Sequence, residues 1–301
     1  MQKLLIDTDP GEDIDDLLAL AFALQRPELK VCAITTVTQP AAGRARLVRR
    51  LLRYLDRTDI PVAAGMSFPL RPLGDAERRR QGDFRQTMNH AGFAEPEDPR
   101  DAPEDLDAPG LIIRTVERHP GEVALACIAP LTNLAVALQR RPEIAGQIAY
   151  VAMMGGETAL NRVEHNVAFD PVAADLVLRA GIPLFMGTWD VTRRVVLSLA
   201  DDGERLRRHR SPLCQALARA IDDWHPAQSW KPGPVLYDIF PIVQAFDRSY
   251  YTTTPQAVRV ETKGEFTTGM TVLQGGAPNA EVTTGVRAAD VRELFLATLL
   301  A

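Results

Sequence analysis

Short apolar runs alternate along the chain with longer stretches of helical periodicity. The apolar runs are rich in β-branched residues and predict buried strands at 3–6, 31–37, 60–64, 123–128, 147–153 and 183–186. Apolar residues at helical spacing predict helices over 16–24, 44–54, 111–117, 131–138 and 171–180. Strands that alternate with helices are joined by right-handed crossovers. The pattern therefore predicts an α/β fold with an open, mostly parallel, doubly wound (Rossmann-like) sheet flanked by helices.

Two parts of the chain depart from this alternation. The segment 73–106 is rich in Arg, Asp, Glu and Pro with weak periodicity, which predicts a long loop or lid. After residue 250 the pattern favours strands, at 257–262 and 270–274, before a final helix from Ala288. The sequence contains no internal repeat and no low-complexity linker, so a single domain over 1–301 is expected.

Composition narrows the class of protein. In 301 residues, 46% are hydrophobic and 24% are charged, which is typical of a soluble globular protein. The net charge of −5 gives no general attraction to nucleic acid. The three cysteines lack CxxC spacing, which favours a reducing compartment and argues against a thiolate metal site. We find no signal peptide and no apolar run long enough to cross a bilayer, so a cytoplasmic protein without nucleic acid or membrane partners is expected.

An acidic turn follows the first predicted strand. Carboxylates occupy positions 7, 9, 12, 13, 15 and 16. Pro10 and Gly11 favour a sharp turn that folds Asp9 back towards Asp15 and Asp16. Like charges this close repel each other, and a hard cation such as Ca²⁺, which takes six to eight oxygen ligands, relieves that repulsion. The turn therefore predicts a calcium site, in preference to a merely acidic helix N-terminus or a DxDxT phosphatase motif, whose Thr is replaced by Gly11.

The same turn resembles the DxDPGxDD signature of the inosine–uridine-preferring nucleoside hydrolase family. Further segments are similar to family motifs in the same order along the chain: ITTV at 34–37, APLTN at 129–133, MMGG at 153–156, EHN at 164–166 with Asp-Pro at 170–171, DVT at 190–192, YD at 237–238 and GMTV at 269–272. Each motif alone is weak, but the collinear series is specific. The resemblance covers almost the whole chain.

The resemblance implies calcium-dependent hydrolysis of the N-glycosidic bond of a ribonucleoside to ribose and free base. Asp9 would bind Ca²⁺ and act as the general base that activates water. The other implied metal ligands are Asp16, Asp238 and the carbonyl of Ile128. Asp15, Glu164 and Asn166 would bind the sugar. The family also implies a homodimer or homotetramer.

Three departures from the family pattern affect these assignments. The acidic turn carries one extra residue; alignment by the following helix selects Asp15 and Asp16, whereas alignment by the Pro-Gly turn selects Asp13, which remains possible. Gln39 and Pro40 stand where the family has Gly-Asn, so Gln39 is the candidate for that sugar contact. Tyr237 replaces the histidine that is thought to protonate the leaving base.

Tyrosine is a poor acid at neutral pH, although Tyr237 could donate a hydrogen bond or simply pack beside the metal site. His225 and His165 are candidate replacements for the acid, and His90 resembles a lid histidine of the family. Trp224 and Trp230 would either stack on a base or pack in the core. The departures leave open a ribosyl-ligand-binding or regulatory protein with little turnover, but the intact metal ligands favour an active enzyme. The base preference stays open.

Overall fold

The protein is described here by a computed structural model that covers residues 1–72, 88–95 and 98–301. Its strands are β1 (Gln2–Thr8), β2 (Leu29–Thr36), β3 (Val62–Ala64), β4 (Val123–Cys127), β5 (Tyr150–Met154), β6 (Leu184–Gly187), β7 (Tyr251–Val260), β8 (Thr271–Gln274) and β9 (Ala280–Val286). They form one nine-stranded sheet in the order β3-β2-β1-β4-β5-β6-β9-β7-β8.

Most of this sheet is parallel. Strands β1 to β6 and β9 run in the same direction, while β7 is antiparallel to β9 and β8 is antiparallel to β7. The prediction of a mostly parallel sheet is confirmed. Strand β9 was not predicted, because Glu281 and Thr284 interrupt its apolar residues in a partly exposed strand.

Helices connect the strands. Their ranges are α1 (Asp15–Leu24), α2 (Ala41–Tyr54), α3 (Ala108–Arg118), α4 (Thr132–Arg140), α5 (His165–Phe169), α6 (Pro171–Leu178), α7 (Trp189–Thr192), α8 (Glu204–Arg208), α9 (Pro212–Trp224), α10 (Ile239–Gln244) and α11 (Ala288–Leu299). The predicted helices all form. The sequence pattern does not predict α5 or the helices from α7 to α10. None of the helices in the described ranges has the length and apolar character needed to span a membrane.

Two apolar layers cover the two faces of the sheet. One layer includes buried residues of α1, α2, α9, α10 and α11, and the other includes those of α3, α4 and α6. Helices on both faces establish the doubly wound arrangement. Of the predicted loop 73–106, residues 73–87 and 96–97 lie outside the described ranges, and 91–94 and 99–101 form short 3₁₀ turns.

The order of the strands determines where a ligand can bind. Strands β1 and β4 are neighbours at the centre of the sheet, and the chain leaves them towards opposite ends of the strand order. In open α/β sheets a crevice forms beyond the carboxyl ends of strands at such a switch point. Asp9 follows β1, and Ile128 follows β4. The fold therefore brings two predicted site residues to one crevice.

Candidate active site

A cavity of about 260 Å³ lies in this crevice. The predicted site residues that line it are Asp9, Asp15, Asp16, Ile128, Glu164, His165, Asn166, Tyr237 and Asp238. The lining also includes Asp13, Trp189, Gln228, Trp230 and Lys231. The fold thus gathers residues from the acidic turn and from four distant segments of the chain.

Three of the carboxylates that line the cavity lie close together. Oxygen atoms of Asp15, Asp16 and Asp238 lie within 4.8 Å of one another, and all three side chains are buried. Burial raises the pKa of Asp16 to about 6, and burial with mutual repulsion raises the pKa of Asp15 and Asp238 well above the usual range. Buried like charges at this spacing need a cation to be ionised together. The all-oxygen donor set fits a hard divalent metal ion.

Asp16 is oriented by the turn itself. Its Oδ1 accepts hydrogen bonds from Thr8 Oγ1 at 2.6 Å and from the backbone N–H of Asp9 at 2.9 Å. Asp9 is half-buried, and its Oδ2 accepts a hydrogen bond from Thr38 Oγ1 at 3.0 Å. Burial and the neighbouring Asp16 raise the pKa of Asp9 well above its usual range. Asp9 therefore lies beside the three-carboxylate group without belonging to it, whereas Asp15, assigned to the sugar from the sequence, does belong to it.

Arg44 secures the acidic turn from helix α2. Its guanidinium is buried and donates hydrogen bonds to the carbonyls of Asp9 and Pro10, the latter at 3.0 Å, and to that of Gln39 at 3.2 Å. The sequence does not identify this residue, because Arg44 is the first arginine of an amphipathic helix and arginines of such a helix are normally exposed. Its position opposite the acidic turn depends on how α2 packs.

Replacing Arg44 with Met should lower the free energy of unfolding by about 2–3 kcal/mol, because the buried carbonyls of the turn lose charged donors. Urea denaturation of the variant against wild type measures this loss. Arg219→Met, on the exposed side of helix α9, is the matched control and should change stability by less than about 0.5 kcal/mol. Equal losses in the two variants would contradict the role assigned to Arg44.

Asp7 is a buried carboxylate of the acidic turn that connects neighbouring elements. Its Oδ1 accepts hydrogen bonds from Thr35 Oγ1 at 2.6 Å and from Asn133 Nδ2 at 2.8 Å, and complete burial raises its pKa to about 7. The side chain does not line the cavity among the described residues. Asp7 therefore ties β1 to β2 and to α4, although the sequence grouped it with the metal carboxylates.

Glu164 and Asn166 are held rigidly on the cavity wall. The Glu164 carboxylate caps helix α5 by accepting hydrogen bonds from the backbone N–H groups of Gly156, Asn166 and Val167 at 2.8, 2.8 and 3.0 Å. Asn166 Nδ2 donates to the carbonyl of Met154 at 3.1 Å. The Asn166 side chain is thereby fixed with its amide oxygen available as an acceptor.

Tyr237 and Trp189 form an aromatic part of the wall. The indole of Trp189 lies close to the hydroxyl of Tyr237. Burial, together with the charges of Asp15 and Asp13, raises the pKa of Tyr237 above its ordinary value. Tyr237 is thus a weaker acid than free tyrosine and acts here as a neutral hydroxyl.

Asp13, left open by the sequence, pairs with Lys231. Its Oδ2 accepts a short hydrogen bond from Lys231 Nζ, and its Oδ1 accepts one from the backbone N–H of Ile14 at 2.9 Å. Asp13 is not part of the three-carboxylate group. Asp13 therefore lies outside the three-carboxylate group, although it lines the same cavity.

Four predicted residues are not found among the described residues that line the cavity. Trp224 is completely buried in the core, which corrects its assignment as a residue that stacks on the base. His225, in the 3₁₀ turn after α9, is half-buried outside the cavity, and Gln39 lies in the loop before α2. His90 is fully buried beside the acidic turn, and burial lowers its pKa to about 4. The roles predicted for His225, Gln39 and His90 therefore stay predictions.

Comparison with known proteins agrees with this geometry. Residues 4–293 match the model of the family described as inosine-uridine preferring nucleoside hydrolase. The chain is 36% identical, over 94% of its length and 93% of theirs, to the pyrimidine-specific ribonucleoside hydrolases RihA of Salmonella arizonae and Escherichia coli.

Solved structures give the same picture. A plant nucleoside hydrolase has 28% identity and a TM-score of 0.82, with 100% of this chain and 99% of that one covered. A purine-preferring ribonucleoside hydrolase from Gardnerella vaginalis has 25% identity and a TM-score of 0.83, with coverage of 99% and 98%. The family match, the shared fold and the carboxylate-lined cavity converge on one conclusion: this chain belongs to the inosine-uridine preferring nucleoside hydrolase family and is a hydrolase that acts on the N-glycosyl bonds of ribonucleosides.

Proposed function

We propose that the protein is a calcium-dependent hydrolase that prefers pyrimidine ribonucleosides and releases ribose and the free base. The observation that carries the proposal is the group of three buried carboxylates, Asp15, Asp16 and Asp238, beside Asp9 in one cavity. The pyrimidine preference rests on the relatives that share 36% identity and are named for it. The proposal identifies Ca²⁺ by the number and hardness of the oxygen donors.

Asp16, Asp238 and the carbonyl of Ile128 would hold the ion, with Asp9 and Asp15 completing the oxygen set. Bound Ca²⁺ would supply positive charge that orients the ribose hydroxyls and makes water a better nucleophile. The Asp9 carboxylate accepts the proton of the attacking water. The hydrogen bond from Thr38 Oγ1 to Oδ2 orients this carboxylate for the transfer.

The remaining wall residues bind the two halves of the substrate. Asn166 accepts a hydrogen bond from a sugar hydroxyl, and Glu164, fixed as the cap of α5, holds Asn166 in place. Asp15 contributes a further acceptor to the sugar, and His165 lines the same cavity. Trp230, with 75% of its surface exposed, offers its face to the base.

Chelation tests the proposal directly. Protein stripped of metal with a chelator should release reducing sugar from uridine at a rate at least about 100-fold lower than protein restored with Ca²⁺, because the ion stabilises charge in the transition state. Ca²⁺ should also raise the melting temperature, since it relieves repulsion among buried carboxylates. Unchanged activity after metal removal, confirmed by elemental analysis, would refute calcium dependence.

A panel of nucleosides separates turnover from binding alone. Uridine and cytidine should be hydrolysed faster than inosine. Tight binding of these nucleosides by calorimetry without release of base would instead favour a ribosyl-ligand-binding or regulatory protein. Faster hydrolysis of inosine would contradict the pyrimidine preference while leaving the chemistry intact.

We also propose that the protein forms a homodimer or homotetramer. The support is the exposure of large apolar side chains on and beside the edge strand β8, where Phe266, Val272 and Leu273 are 77%, 40% and 43% exposed. Apolar side chains gathered on a surface often mark protein contacts. Light scattering after gel filtration measures the mass, and a 33.1 kDa species would contradict the proposal.

A further inference from the structure

A buried lysine lies in the wall of the active-site cavity. The side chain of Lys231 is only 6% exposed, and Nζ lies 5.3 Å from the ring centroid of Trp230, 5.4 Å from that of Tyr237 and 5.7 Å from that of Trp224. Asp13 is its ion-pair partner among the described residues. Aromatic faces attract cations, so the three rings and one carboxylate together hold an ammonium group at this point.

This arrangement is not explained by stability. Removing an ammonium from water costs several kcal/mol, and buried ion pairs often contribute no more than apolar residues of similar volume. A methionine would fill the same space between the three rings. We therefore infer that the charge of Lys231 acts on a ligand in the cavity.

The ammonium group of Lys231 lies close to residues that take part in the proposed reaction. The ring of Tyr237 contacts Lys231 from one side, and the next residue, Asp238, belongs to the carboxylate group that would bind the metal. Ammonium has three N–H donors, and one is directed to Asp13. No other hydrogen bond of Nζ is found among the described residues, and Lys231 lines the same cavity as Asp9.

We propose that Lys231, held by Asp13, stabilises the departing base. This inference rests on the proposed function. As water oxygen bonds to the anomeric carbon, the carbon–nitrogen bond breaks and its electron pair remains on the base. An N–H of Lys231 donates a hydrogen bond to that anion, whose charge spreads onto its oxo groups. Asp9 takes the proton of the water, and the released base later takes a proton from solvent.

The proposal identifies the substrate class and the extra residue of the acidic turn. A base that leaves as an anion with oxo acceptors, such as uracil, is the ligand that an ammonium donor recognises. Asp13 acts as a positioning residue, because its carboxylate orients Nζ and is itself fixed by the N–H of Ile14. Electrostatic stabilisation by Lys231 then takes the place of the histidine acid that the family resemblance implies.

A comparison of two substrates tests this role. Uridine needs help to expel its base, whereas p-nitrophenyl β-ribofuranoside carries a leaving group that stabilises its own negative charge. Lys231→Met should lower kcat/KM for uridine by about 100-fold and leave that for the nitrophenyl riboside within about threefold. Lys231→Arg retains the charge and should keep uridine activity within about tenfold of wild type. Lys263→Met, the same change on an exposed residue, should alter neither substrate.

The alternative is that the pair only ties the acidic turn to the segment before Tyr237. Equal losses on both substrates would show such a structural role and overturn the proposal, as would unchanged uridine hydrolysis in Lys231→Met. If that variant fails to fold by circular dichroism, Asp13→Asn provides the comparison, with a selective loss on uridine expected. Wild-type protein that hydrolyses neither substrate would refute the proposed function itself, and this inference with it.

Discussion

Replacing Asp9 with Asn is expected to lower kcat for uridine by about 1,000-fold. Asparagine keeps the size of the side chain and can still accept the hydrogen bond that Thr38 Oγ1 makes at 3.0 Å, so the turn should keep its shape. It cannot accept a proton at neutral pH. The loss should therefore appear mainly in kcat, because the residue acts on the attacking water and the sugar contacts remain. Steady-state release of reducing sugar at saturating Ca²⁺ measures it.

The interpretation depends on separating proton transfer from metal binding. Calorimetric titration with Ca²⁺ should show that the Asp9→Asn protein still binds the ion through the three-carboxylate group, although more weakly. Asp59→Asn, the same change on a side chain that is 70% exposed, is the matched control and should keep full activity. If Asp9→Asn retained more than about a tenth of wild-type kcat, Asp9 would not be the general base.

The acidic turn could be predicted from the sequence because its chemistry is local. Several carboxylates after a buried strand repel one another wherever the rest of the chain lies, and the rule for parallel sheets places them at a binding edge. Asp238 could be added only through the family resemblance, since no short-range pattern joins it to Asp16. The structure brings the two together by packing α10 against the centre of the sheet.

The ion pair between Asp13 and Lys231 could not be predicted from the sequence. Asp13 and Lys231 lie 218 residues apart, and nothing in the composition of either segment joins them. Arg44 shows the same limit, since an arginine in an amphipathic helix is normally exposed. Whether a charge is buried depends on which helix face meets the turn, and that is a property of tertiary packing.

Tertiary packing also decides the roles of Trp224 and Trp230. From the sequence, each of them was equally expected to stack on a base or to pack in the core. Trp224 ends α9 on its buried face, whereas Trp230 follows the 3₁₀ turn and is 75% exposed at the cavity. Periodicity does not extend through that turn, so the orientation of each ring could not be derived. The opposite environments of the two residues give a matched pair for mutation.

Trp224→Ala should lower the free energy of unfolding by about 3–5 kcal/mol, the second large effect that we expect. Trp224 is completely buried in the core, so its loss leaves a large cavity that the surrounding side chains fill only in part. Trp230→Ala should change stability by less than about 0.5 kcal/mol, because its ring is exposed. Urea unfolding curves of both variants at saturating Ca²⁺ measure the difference.

The effects of the two tryptophans on KM should have the opposite order to their effects on stability. Trp230→Ala should raise KM for uridine about tenfold, the value of one lost stacking contact with a base. Trp224→Phe, which keeps an aromatic ring in the core, should leave KM close to that of wild type at a temperature where both proteins are folded. A rise in KM in Trp224→Phe, with none in Trp230→Ala, would indicate that Trp224 and not Trp230 binds the base. The pair thus separates a ring that stabilises the fold from a ring that binds substrate, within seven residues of the same segment.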